Sequence, residues 1–245
     1  MRELFERVER EQGRLDVLAN SVAGQDMVLA GWEPIWKTDL ARADLAVRQG
    51  LLSHVLTAKY AATLMIKKRH GLIVEVTEFD LLFCSGNVLA QLVKFSLKGL
   101  AVILAEELRK HRVAAVAMTP GYLRSELMLD HFGVTEENWQ EGGKQDPNFL
   151  VSETPLFIGR AVAALAGDPK VLARSGQITS SYGLAREYGF TDYDGRRPDM
   201  LTHFAKEVLP SLKWMRDGLE RHLAWLEDLT GVAREYLGQP RSATP

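Results

Sequence analysis

Short apolar runs along the chain alternate with longer segments in which apolar residues recur every three or four positions. The runs have the spacing of buried strands and the longer segments that of helices, an order that predicts parallel strands joined by crossover helices. Leu4, Phe5 and Val8 predict an amphipathic helix over 1–12, followed by a short buried strand at "RLDVLAN" (14–20). A helix over roughly 38–68 ends in Lys67, Lys68 and Arg69, cations that suit a helix C-terminus. "GLIVEVT" (71–77) reads as a strand. Residues 87–111 read as a second long helix, with Leu92, Phe95, Leu100, Ile103 and Leu104 as candidate core positions, and "VAAVAMTPG" (113–121) as the next strand and its turn.

After Pro120 the periodicity weakens. Residues 122–150 read as loop and short helix, a length closer to a substrate lid than to a plain connection. A helix at 154–166 and a strand at "GQITSS" (176–181) would complete the domain. From about 200, Phe204, Val208, Leu212, Met215, Leu219, His222, Trp225 and Leu229 recur at helical intervals. The expected organisation is an α/β domain over 1–199 and a helical C-terminal extension over 200–245.

Composition narrows the function classes. The 245 residues, 46% hydrophobic and 25% charged, suffice for one compact α/β domain with a tail. A formal net charge of −2 with interspersed acids and bases gives no footprint for nucleic acid or an anionic membrane, and neither is expected as a partner. Cys84 is the single cysteine, so no internal disulfide forms. No window was expected to reach the roughly 18–20 uncharged apolar residues of a spanning helix, and the charged N-terminus "MRELFERVEREQG" does not read as a secretory signal. The cytoplasm is the expected compartment.

Several stretches resemble the short-chain dehydrogenase/reductase family. "LDVLANSVAG" is similar to the segment that ends the family's fourth strand in Asn-Asn-Ala-Gly, "GLIVEVT" to the strand bearing the catalytic serine, and "TPGYLRSEL" to the Pro-Gly turn before Thr-Glu-Leu. Counting back from "LAEEL" (104–108) puts Lys94 on the family's catalytic lysine and Ala90 on its tyrosine. "SGQITSSYGLAREYGFTDYDGRRP" is similar to a subgroup with an Ala-Arg-x-Tyr-Gly stretch and an Asp-x-Asp-Gly turn. The resemblance implies a partial Rossmann-like parallel sheet with flanking helices, and association through the helices at 38–68 and 87–111.

Other parts of the family pattern are missing. The resemblance implies a Thr-Gly-x-x-x-Gly-x-Gly phosphate loop, whose glycines let the backbone reach a pyrophosphate at a helix N-terminus; Gly24 and Gly31 are isolated turn glycines. Met1 falls where the family's third helix would be, so the adenosine-binding half is expected to be absent and no cofactor is expected. In the family a tyrosine moves the proton, a lysine lowers its pKa and holds the ribose, a serine fixes the carbonyl, and an asparagine supports a water relay. Here the serine position falls on Thr77 or Glu78 and the asparagine on Arg48, while Lys94, Asn20, the Pro120-Gly121 turn and Ser125 match in kind.

The candidate catalytic residues are therefore Thr77, Lys94 and Glu78. Asn20, Asp80, Tyr122 and Ser125 are candidate contacts for a small organic molecule, and no pair of residues has metal-ligand spacing. Glu75 interrupts an apolar strand, and a buried carboxylate needs a partner, here expected to be Lys or Arg. His54 reads as a hydrogen-bonded core or interface residue, and Cys84 lacks a histidine at nucleophile spacing. The leading expectation is a reductase-derived protein that binds or converts a small molecule without hydride transfer. Its rivals are a regulatory partner of an intact relative and an NAD(P)-dependent oxidoreductase with an incomplete site.

Overall fold

The computed structural model describes residues 1–23, 34–78 and 88–212, with isolated helical positions between 217 and 227. Strands β1 (Val17–Asn20), β2 (Gly71–Val76), β3 (Val113–Thr119) and β4 (Ile178–Ser180) form a parallel sheet in the order β1-β2-β3-β4. Spatial order follows chain order, as helical crossovers between neighbouring parallel strands require. The register sets Asn20 beside Glu75, and Glu75 beside Ala117. All seven residues of β3 are buried, because both of its faces are covered.

The helices are α1 (Arg2–Gln12), α2 (Leu40–Val47), α3 (Ser53–Lys68), α4 (Val88–Leu108), α5 (Glu126–Phe132), α6 (Pro155–Gly167) and α7 (Ser181–Tyr188). On one face, Phe5 of α1, Ala61 and Met65 of α3, and Ala105 and Leu108 of α4 pack on Ile73, Val113 and Ala115. On the other, Ala161 and Leu165 of α6 and Leu184 of α7 pack on Leu72, Val74, Val116 and Met118. Successive strand residues alternate between these layers, so Glu75 and Thr77 share the α3/α4 side with Ile73.

The helix expected over 38–68 is α2 and α3 joined by a wide π-type turn at Arg48–Leu52. Asp39 caps its start, accepting from the Ala41 amide at 2.8 Å, and Arg69 ends it at φ 53°, a left-handed geometry that halts the helix. The core positions expected on the second long helix need correction. Leu92 and Ile103 are exposed, while Val93, Leu97, Ala101, Ala105 and Leu108 face the sheet. This helix is apolar nearly all round, so periodicity alone does not select its inner face; small alanines there let the helix lie close to β2 and β3. Val88–His111 is also long and apolar enough to cross a membrane by length and composition, contrary to the expectation that no such window exists, yet its inner face lies on the sheet.

Three further boundaries differ from the sequence reading. Only 17–20 of the first strand pair with β2, and Val17 to Ala19 are not fully buried, as befits a strand with one described neighbour. The strand read at 176–181 spans only Ile178–Ser180, and Ser181 instead begins α7, capped by the Ser180 hydroxyl accepting from the Gly183 amide at 3.1 Å. Chain contacts separate Met1–Asp199 from Met200–Pro245. The second unit begins with α8 (Met200–His203), a wide turn at Phe204–Val208 and a 3-10 turn at Leu209–Ser211 rather than one regular helix. Pro210 contributes to that break because it has no N–H for the helical ladder. Met215, Leu219, His222, Trp225 and Leu229 lie outside the described residues.

Candidate functional site at the carboxyl ends of the strands

A polar layer lies between the sheet and α3/α4 near the strand ends. Asn20, His54, Glu75 and Thr77 are all buried. His54 Nδ1 lies 2.5 Å from Glu75 Oε2 and its Nε2 lies 2.9 Å from the Val22 carbonyl oxygen. A carbonyl only accepts, so Nε2 carries a proton. One more proton is shared between Nδ1 and the carboxylate, and the pair is neutral overall wherever that proton sits. Glu75 thus meets histidine rather than the Lys or Arg expected, while His54 is the hydrogen-bonded core residue it was read to be. Glu75 Oε1 is buried with no hydrogen-bond partner among the described residues. The Asn20 amide donates to the His54 carbonyl at 3.5 Å, a long bond that ties β1 to α3.

Thr77 follows β2, and its hydroxyl donates to the Lys94 backbone carbonyl at 2.8 Å. That bond joins the strand end to α4 and occupies the hydroxyl proton a serine would offer a substrate carbonyl. Lys94 and Ala90 stand one helical turn apart, half-exposed, so the face that would carry a tyrosine carries a methyl group. Glu78 is exposed just beyond Thr77. Asp80 and Cys84 lie outside the described residues. Arg48, at the asparagine position, is exposed and paired with Asp44 at 2.7 Å, so it supplies no buried relay.

The segment expected as a lid is a closed excursion with its own core. At its neck Leu123 bridges Glu153; the Arg124 amide donates to the Glu153 carbonyl at 2.7 Å and the Glu153 amide to the Tyr122 carbonyl at 2.8 Å. Phe132, Trp139 and Phe149 form the interior, with Phe132 and Phe149 ring centres 4.4 Å apart. Tyr122 packs its ring 5.4 Å from Phe149, and burial together with Asp146 pushes its phenol up to about 12. It therefore belongs to the lid core and is a poor proton donor near neutral pH. Ser125 caps α5, accepting from the Met128 amide at 3.3 Å. The structure thus gathers Asn20 and Thr77 with the backbone of Lys94 at the sheet and puts Tyr122 and Ser125 in the excursion.

Sequence reasoning missed the charged groups of this neck. Arg124 is fully buried, donates to Glu136 Oε1 at 2.8 Å and stacks 4.0 Å from the Trp139 ring, which Arg196 also meets at 4.6 Å. Glu153 is buried too, and its Oε2 accepts from the Gly121 amide at 2.8 Å and the Ser181 hydroxyl at 2.7 Å. Burial pushes its carboxyl up to about 7, with the Asp192 charge adding to the effect and those two bonds opposing it. "SET" before Pro155 reads as an ordinary helix start, and nothing local marks its glutamate as buried.

The family model described as enoyl-(acyl carrier protein) reductase matches residues 1–180. Dehydrogenase/reductase SDR family member 1 of Homo sapiens is 38% identical over 200 residues, covering 80% of this chain and 64% of that protein. The chain belongs to the short-chain dehydrogenase/reductase family. The Mus musculus protein of the same name is 36% identical over 226 residues, covering 89% of this chain and 72% of the relative. The chain thus spans about two thirds of the length of these relatives. Among solved structures, YwfH, an NADPH-dependent reductase involved in bacilysin biosynthesis, superposes with TM-score 0.60 at 17% identity, covering 73% of this chain and 70% of that one. At that identity the likeness shows the fold, which is the α/β, Rossmann-like parallel sheet the motifs implied.

Proposed function

We propose that this short-chain dehydrogenase/reductase chain binds a small organic molecule at the carboxyl ends of β2 and β3 and, if it acts on it, does so without hydride transfer. The single observation that carries this reading is the state of the catalytic positions: Ala90 replaces the tyrosine, and the Thr77 hydroxyl is spent on the Lys94 carbonyl. A ketone bound there would meet neither the phenol nor the free hydroxyl that polarise it in the family. The residues present also do not fit a whole nicotinamide dinucleotide, because the 245 residues contain no Gly-x-x-x-Gly-x-Gly stretch to receive its pyrophosphate. Lys94 and the Pro120-Gly121 turn are the matching remnants on the nicotinamide side.

The reading places the protein in the cytoplasm, as a homodimer or higher oligomer built on α3 and α4. Val55, Leu56, Leu92, Val102 and Ile103 are exposed, and a groove of about 430 Å³ runs between the two helices from Val55 to His111. Native mass spectrometry of the purified protein, followed by denaturation and small-molecule analysis, tests the binding. Retention of a stoichiometric organic molecule supports the reading. Low-micromolar NADPH binding, with cofactor oxidation over any carbonyl panel, would overturn it in favour of the oxidoreductase reading, which rests on family membership.

A further inference from the structure

We propose that Glu153 is a proton-operated latch that ties the neck of the 122–153 excursion to the sheet. Two parts of the chain meet at its Oε2, the amide of Gly121 in the turn after β3 and the hydroxyl of Ser181 at the start of α7, while the backbone of Glu153 pairs with Tyr122 and Arg124 across the neck. The other oxygen, Oε1, is buried without a hydrogen-bond partner among the described residues. Among the described residues no cation bonds this carboxylate in compensation. Arg124 directs its guanidinium to Glu136 instead, and the charged group that acts on Glu153 is the carboxylate of Asp192, which itself accepts from the Thr154 amide at 2.9 Å and the Thr154 hydroxyl at 2.5 Å.

A protonated Glu153 keeps both bonds at Oε2, since a neutral carboxyl oxygen still accepts, and puts no charge beside Asp192. An ionised Glu153 holds an uncompensated charge in the interior, which water would solvate if the neck opened. Its carboxyl sits at about 7 in the closed neck against an ordinary 4.5. A group raised by folding contributes stability that is complete below its ordinary value and is lost as pH rises through the folded one. The neck is therefore tightest in mild acid and loosens through neutrality. With those two values, linkage gives about a tenfold rise in the open fraction between pH 6 and pH 8. The latch does not depend on which ligand the cleft takes.

Hydrogen exchange of the full chain, corrected for the intrinsic pH dependence of amide exchange, reads the neck directly. Gly121, Arg124 and Glu153 each donate an amide bond there, and Val116 in β3 reports global opening. The expected result is about tenfold faster exchange of the neck amides at pH 8 than at pH 6, at an opening free energy well below that of Val116, so that the neck opens by itself rather than with the whole domain. Glu153→Gln, which keeps the acceptor and removes the titration, should flatten the profile. Ser181→Ala removes a bond that favours the ionised form and should move the midpoint upward, keeping the test open if Glu153→Gln does not fold. Neck exchange that is independent of pH, or equally dependent on it in Glu153→Gln, overturns the proposal.

Discussion

Replacing His54 by leucine removes one half of a fully buried pair. In the native protein Glu75 Oε2 has His54 Nδ1 at 2.5 Å, and Oε1 has no described partner. Without the imidazole the carboxyl would have no bond at either oxygen in a site of zero solvent exposure. Breaking a buried pair from one side costs about 3–5 kcal/mol, because the remaining charge is uncompensated. Losing the ring's bond to the Val22 carbonyl adds roughly 1 kcal/mol. Glu75→Leu should cost less, about 1–3 kcal/mol, since the imidazole left behind can be neutral with Nε2 still bonded to Val22. The double variant replaces the pair with apolar groups, an exchange that is often close to neutral.

The assay is thermal unfolding at pH 7 of the native protein, both single variants and the double. On the stated costs, His54→Leu should lower the thermal midpoint by roughly 8–24 °C, at about 2–4 °C per kcal/mol for a chain of this size. The double should recover at least half of that loss. Strictly additive single effects would refute the reasoning, because the two side chains would then contribute independently and the short contact would carry no coupling.

Thr77→Val should destabilise by about 1 kcal/mol in the same assay and Thr77→Ser by less, because only the first removes the bond to the Lys94 carbonyl; equal effects would mean the hydroxyl is not bonded there. Ala90→Tyr puts a phenol one turn from Lys94, yet spectrophotometry at 340 nm should detect no NADPH oxidation, since positioning a hydride donor is itself worth roughly 7–11 kcal/mol of barrier. Turnover above a no-protein control would contradict that. Ile103→Glu, at an exposed position on α4, should shift the species toward monomer in light scattering without unfolding the chain; an unchanged mass would move the interface elsewhere.

The order of elements and the family motifs were legible in the sequence because both are local. Alternation of strand and helix periods, the cationic end at Lys67–Arg69 and the Pro120-Gly121 turn each depend on residues close together along the chain, and Ala90 and Lys94 are placed by counting along one helix. Which face of α4 lies on the sheet was not legible. Its apolar residues surround the helix, and the choice of Val93, Leu97 and Ala101 over Leu92 and Ile103 depends on how closely an alanine surface can approach β2 and β3. Nor could composition show that Glu75 pairs with His54, 21 residues away, or that Glu153 reaches Ser181, 28 residues on. In each pair one residue lies in a crossover and the other on, or just after, the strand that follows it, so only the assembled sheet brings them within hydrogen-bonding distance. The cost of burying a carboxylate then decides which of those encounters the fold has to satisfy.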